Sequence, residues 1–134
     1  TLSDKQIAKT AGIATLKELK KQNPYKQFEL NAQRLEHIIL AAAKENNIDI
    51  VVNRFGSMIN PFFTKVEVTD FKTAQTSDTK SFGIFFWELI QNGLFIPPSQ
   101  FESWFLSSAL TEEDFEKTTK AINAAMKKVA ETRK

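Results

Sequence analysis

The sequence has no cysteine and one histidine, His37. The first absence excludes disulfides, thiolate metal sites and a cysteine nucleophile, and it makes a cytoplasmic origin the expectation over a secreted one. His37, between Glu36 and Ile38 on a helical stretch, is given no role, and no triad is proposed around it. Four glycines form no phosphate-binding loop, and no His-Glu-x-x-His motif is present. No apolar run approaches the roughly 20 residues that span a bilayer, and the amino terminus reads as a helix start rather than a signal sequence. Charge of one sign is scarce too. Eighteen basic against sixteen acidic residues give +2, too weak a field to argue for nucleic acid or an anionic membrane. The carboxy-terminal Lys127, Lys128, Arg133 and Lys134 lack interleaved aromatics, and they read as dipole-complementing, solvated residues at a helix end. No metal is expected, because the consecutive carboxylates Glu112, Glu113 and Asp114 point in different directions from a helix start, where the dipole favours them.

What is present fits a single domain over residues 1–134. A chain of that length buries roughly 65–70% of its unfolded surface and needs no staple. Four helices are expected. Ser3 and Gln6 form a capping box ahead of Ile7, Ala11, Ile13, Ala14, Leu16 and Leu19. A second helix runs roughly from Leu30 to Asn46, with Leu35, Ile38, Ile39, Ala42 and Ala43 at helical spacing. The third has the clearest stripe, Phe82, Phe85, Phe86, Leu89 and Ile90, closed by Asn92-Gly93. The last starts at Thr111 and turns Phe115, Ile122, Met126 and Val129 inward. Between the second and third helices, the β-branched run Ile48–Phe55, the turn Gly56-Ser57 and Met58–Thr64 predict a hairpin, with Pro61 on an edge or at a bulge. Trp104–Ser107 is the third strand, and Val66–Ser77 the longest irregular link. The class is therefore α+β: a small antiparallel sheet of about three strands packed against about four helices in two layers. Twelve phenylalanines are explained by a core around Phe82, Phe85, Phe86, Phe105 and Phe115.

Several segments resemble a known family. Ser99-Gln100-Phe101-Glu102 lies between Gly93-Leu94-Phe95-Ile96-Pro97-Pro98 and Phe105-Leu106-Ser107-Ser108, with Phe55-Gly56-Ser57-Met58 and Phe62-Phe63-Thr64 upstream. Thr1-Leu2-Ser3 and the Ala11–Leu19 segment extend the likeness towards the amino terminus. In these features the chain resembles the carboxy-terminal small domain of glutamate-1-semialdehyde 2,1-aminomutase, a pyridoxal-phosphate enzyme of tetrapyrrole synthesis in aminotransferase class III, fold type I. The resemblance implies that the cofactor-anchoring lysine belongs to a large domain. It further implies that Thr1 helps to hold the cofactor phosphate across a dimer interface, and that Glu102 lies near the reacting substrate. Departures from the family pattern include Asp4-Lys5-Gln6 for Gly-Asn-Pro, Lys9 and Thr10 for small apolar residues, Pro61 for an apolar residue, Leu110 for histidine, and Trp104 for a small residue. Trp104 beside Glu102 is expected to crowd the place where substrate enters, with both side chains on one side if the strand already begins at Glu102. These departures favour a stand-alone, engineered domain, excised and resurfaced, that is non-catalytic, binds no cofactor by itself, and is a monomer or weak homodimer. The alternative is a natural fragment or subunit that completes a pyridoxal-phosphate enzyme by docking on the large domain.

Overall fold

The computed structural model describes residues 5–133. Its elements run α1 (Gln6–Gln22), α2 (Tyr25–Glu45), β1 (Val51–Phe55), β2 (Met58–Phe62), α3 (Phe71–Ala74), α4 (Thr79–Gln91), β3 (Trp104–Phe105) and α5 (Glu112–Thr132). The class is the α+β arrangement expected from the sequence, and the described residues hold five helices rather than four. The extra one lies in the 66–77 link, where Asp70 and Thr73 close a capping box around a single helical turn.

The helices start and stop where local chemistry dictates. Asn23 adopts a left-handed conformation with φ 46° and donates its N–H to the Leu19 carbonyl, ending α1. Pro24 follows at once as the cap of α2, which therefore begins at Tyr25 rather than near Leu30. A proline has no N–H to leave orphaned at a helix start, and its carbonyl accepts from Phe28 N at 2.9 Å. At the start of α1, Lys5 occupies the cap without a side-chain hydrogen bond and Gln6 is the first helical residue; the expected partner Ser3 lies outside the described residues. Asp78 caps α4 by accepting from the N–H groups of Lys80 and Ser81. Thr111 and Asp114 form a reciprocal capping box at α5.

The sheet has the order β1-β2-β3, antiparallel throughout. Gly56, at φ 56°, and Ser57 make a two-residue turn that closes on the pair Phe55 and Met58. Pro61 thus stands in the central strand, not on a sheet edge. Its register partner is Val52 on β1, while β3 pairs only with Met58 and Ile59. Counting alternate pairs from the turn puts Pro61 at a non-hydrogen-bonded position, so its missing donor faces the side that β3 no longer reaches.

Alternation gives the sheet two faces. Ile59 and Trp104 point inward and join Leu35, Ile39 and Ala42 of α2, Phe82, Phe85 and Leu89 of α4, and Ile122, Met126 and Val129 of α5 in one buried core. Phe85 is the aromatic centre, edge-on to Phe63 at 5.4 Å and stacked on Trp104 at 6.4 Å between ring centroids. On the outer face, Val68 and Ala74 cover Phe62 and Val51 at one end. The hairpin end of that face is bare. α1 contributes no buried residue at all.

Candidate functional site

Glu102 lies on the turn between α4 and β3, exposed to solvent. The turn is built by its own residues: Ser99 Oγ accepts from Phe101 N at 3.2 Å, and the Ser99 carbonyl accepts from Glu102 N at 3.1 Å. Phe101 sets its ring edge-on to Phe71 at 6.1 Å, tying the turn to α3. Gln100 turns the other way. It is 2% exposed, and its Oε1 accepts from Phe63 N at 3.4 Å.

Trp104 is buried on the inner face of the sheet rather than sharing one side of a strand with Glu102, as expected had the strand begun there. The strand begins only at Trp104, so Glu102 is not on its alternation, and the indole is buried against Phe85. The neighbours of Glu102 are instead Phe101 and Ser103, and each lines a depression on the outer face of the sheet. One, of about 260 Å³, is walled by Asn53, Asn60, Phe62 and Ser103; a second of about 260 Å³ shares Asn53 and Phe62 and reaches Phe71 and Phe101. Asn53 is held there by donating its Nδ2 to the Val68 carbonyl at 2.8 Å. Across the bare end of this face, Phe55, Met58 and Phe105 are register neighbours in one row. Phe55 and Phe105 are 79% and 71% exposed. Phe105 was expected in the core; in a two-residue strand whose other member faces inward, it must face out. Thr1, the other residue implied by the resemblance, lies outside the described residues.

Among the described residues, no lysine is placed to anchor pyridoxal phosphate. A Schiff-base lysine functions in a desolvated pocket, whereas every lysine among the described residues is exposed. The cavity between the α4–β3 connection and α5, about 210 Å³, is lined by apolar side chains such as Leu94, Ile96, Trp104 and Phe115, and its one charged lining residue is Asp114. Hydrogen bonds from the Thr111 backbone and side chain hold Asp114 below the usual carboxylate range.

Several other ionisable groups are committed to structure. Glu112 pairs with Arg34 at 2.7 Å, Glu113 with Lys117 at 2.7 Å, and Asp114 caps its helix, so the acidic run is partnered in three directions. The hydrogen bond from Arg34, above all, lowers Glu112. His37 is exposed on α2. Arg133 is not a solvated tail residue: its Nε donates to Ser81 Oγ at 2.9 Å and its Nη2 to Asp78 Oδ2 at 3.0 Å, fastening the end of α5 to the start of α4. Burial pushes Asp78 upward, but hydrogen bonds from Ser81 and Arg133 outweigh it and leave the carboxyl at about 2. Arg54, which the sequence alone did not single out, reaches from β1 to Glu36 at 2.7 Å and to Glu29, both on α2. No three histidine or acidic side chains among the described residues come together as a metal site, and none of the described helices is long and apolar enough to cross a membrane.

No family model matches the chain. It is similar to the glutamate-1-semialdehyde 2,1-aminomutase of Thermodesulfovibrio yellowstonii, with 46% identity over 96% of this chain and 30% of that protein. It is 40% identical to the aminomutase of Aquifex aeolicus, again over 96% of this chain and 30% of the relative. Among solved structures, an omega-transaminase from Sphaerobacter thermophilus shares the fold with a TM-score of 0.82 at 18% identity, over 94% of this chain and 28% of that one. A transaminase with PLP bound aligns with a TM-score of 0.77 at 20% identity, over 94% and 28%. The chain thus spans about 30% of the length of the curated relatives it matches.

Proposed function

We propose that this chain, which over the segment it spans belongs with the glutamate-1-semialdehyde 2,1-aminomutases, is the single small domain that docks on a cofactor-bearing large domain and so completes a pyridoxal-phosphate isomerase. The reaction would be the conversion of glutamate-1-semialdehyde to 5-aminolevulinate in the cytoplasm. The observation that carries this reading is α1. Seventeen residues long, it buries none of them, and Ile7, Ile13 and Leu16 are 84%, 54% and 68% exposed. Ile7, Ala11 and Ala14 lie on one side at helical spacing, and Ile13 and Leu16 on the opposite side. A helix apolar on two sides and covered on neither suits a position between two bodies. The bare row of Phe55, Met58 and Phe105 offers a second apolar contact beside the turn of Glu102. In this reading Glu102 faces substrate at the domain junction, and Thr1 serves the cofactor phosphate.

A second reading, an engineered stand-alone domain with no activity or cofactor of its own, is favoured by one observation. Lys5, at the cap of α1, and Lys9 and Thr10 on it are all exposed, as a resurfaced helix requires. The same helix, however, keeps Ile7, Ile13 and Leu16, which resurfacing would have replaced. Alone, the chain would be a monomer or a weak homodimer through these uncovered faces.

Mixing the purified chain with the remaining part of an aminomutase, plus pyridoxal phosphate, separates the two. The docking reading expects 5-aminolevulinate from the mixture and none from either piece. A mixture that neither associates nor turns over would overturn it.

A further inference from the structure

We infer that Gln100 is a positioning residue for Glu102, holding the turn on which that carboxylate is presented to substrate; the inference rests on the reading of Glu102 just proposed. Its physical basis is a buried amide kept at a cost. Gln100 is nearly fully buried, yet it sits on a surface connection, where a buried polar side chain demands a reason. Its Oε1 accepts one long bond from Phe63 N, while its Nε2 finds no partner among the described residues. An apolar side chain of similar size would avoid this unpaired donor but would leave the Phe63 N–H without its acceptor, so what glutamine specifically supplies here is the tie to Phe63.

The bond does, however, anchor the turn to a rigid point. Phe63 donates its N–H to Gln100, and its carbonyl accepts from Asp78 N at 2.9 Å. Asp78 in turn caps α4 and binds Arg133 at the end of α5. Gln100 is therefore the link between this helix junction and the exposed residue two positions on. With Phe101 held against Phe71 and the Glu102 amide held by Ser99, the Glu102 backbone is braced on three counts. The carboxylate itself remains in solvent, ready to meet something outside this chain. Gln100, Phe101 and Glu102 thus divide the labour: one side chain anchors inward, one clamps sideways and one is displayed.

Gln100→Met keeps the volume and removes the acceptor. In the chain alone, amide hydrogen exchange should become at least about tenfold faster at Phe63 and Glu102, while the Ile122 amide in the core keeps its rate. In the enzyme assembled with its cofactor-bearing domain, Gln100→Met should lower kcat by about 10- to 100-fold, the scale of a small misplacement, with KM little changed. In the Glu102→Gln background it should lower kcat no further, because a residue acting through Glu102 has nothing left to position. Equal losses in both backgrounds, unchanged exchange at Glu102, or full activity of Gln100→Met beside an impaired Glu102→Gln would each overturn the inference. An active Glu102→Gln enzyme would instead show that the reading of Glu102 is wrong, and Gln100 would fall with it.

Discussion

Replacing Phe85 with alanine tests the core most sharply. Phe85 is fully buried, midway along α4, with Phe63 edge-on to one side and Trp104 stacked on another. Truncating a buried phenylalanine costs about 3–5 kcal/mol, combining lost transfer free energy with the cavity left behind. Two aromatic contacts, each worth about 0.5–1.5 kcal/mol beyond burial, place this site in the upper half of that range, at about 4 kcal/mol. Phe86 packs on the core from its margin and is only half-buried, so its alanine variant should cost about 1–2 kcal/mol, in proportion to the area covered. Urea unfolding followed by tryptophan fluorescence resolves the two. With a slope near 2 kcal/mol/M, the Phe85→Ala midpoint should fall by about 2 M and the Phe86→Ala midpoint by less than about 1 M. A Phe85→Ala midpoint within about 0.5 M of the parent, or a larger loss for Phe86→Ala, would refute the assignment of the buried face.

Three further outcomes follow from the same packing. Gly56→Ala should cost about 1 kcal/mol by thermal unfolding: a Cβ there meets nothing within 4 Å, leaving only the strain of a positive φ in the hairpin turn. Asp78 titrates at about 2 in the fold, below its unfolded value of about 3.9. The stability it contributes should therefore be complete above about pH 4 and be lost as the pH falls towards 2. Asp78→Asn should flatten stability across that window, and an unchanged acid limb of the pH profile would contradict the Asp78–Arg133 link. Arg34→Ala should cost under about 1 kcal/mol, because its ion pair with Glu112 is exposed, even though the guanidinium lies 4.4 Å from the centre of the Phe115 ring.

Much of the fold is legible in the sequence because its signals are local and agree with one another. The Phe82-Phe85-Leu89 stripe, the Asn92-Gly93 stop, the Thr111 cap and the Gly56-Ser57 turn all stand as expected. What could not be read depends on partners distant in the chain. Pro61 sits in a central strand because β3 is short enough to leave it free. Arg133 becomes a clasp only once α5 lies along α4, bringing Asp78 within reach from 55 residues away. Trp104 looked like an intruder beside Glu102, since alternation was counted from a strand that had not yet begun. For the site, the resemblance points to Glu102, whereas the part proposed for Gln100 rests on its burial and its bond to Phe63, which the sequence does not show. The apolar residues of α1 raised the same difficulty in reverse: their spacing marks a helix, but not that the helix is left uncovered.

The docking account stands or falls on whether α1 gains a cover. Amide hydrogen exchange of the chain, alone and with the cofactor-bearing part of an aminomutase, measures this directly. The account predicts slowed exchange across Gln6–Gln22 and at Phe55 and Phe105 in the mixture, with the amides of the α4–α5 core unchanged. Equal exchange along α1 in the presence and absence of that partner would contradict it.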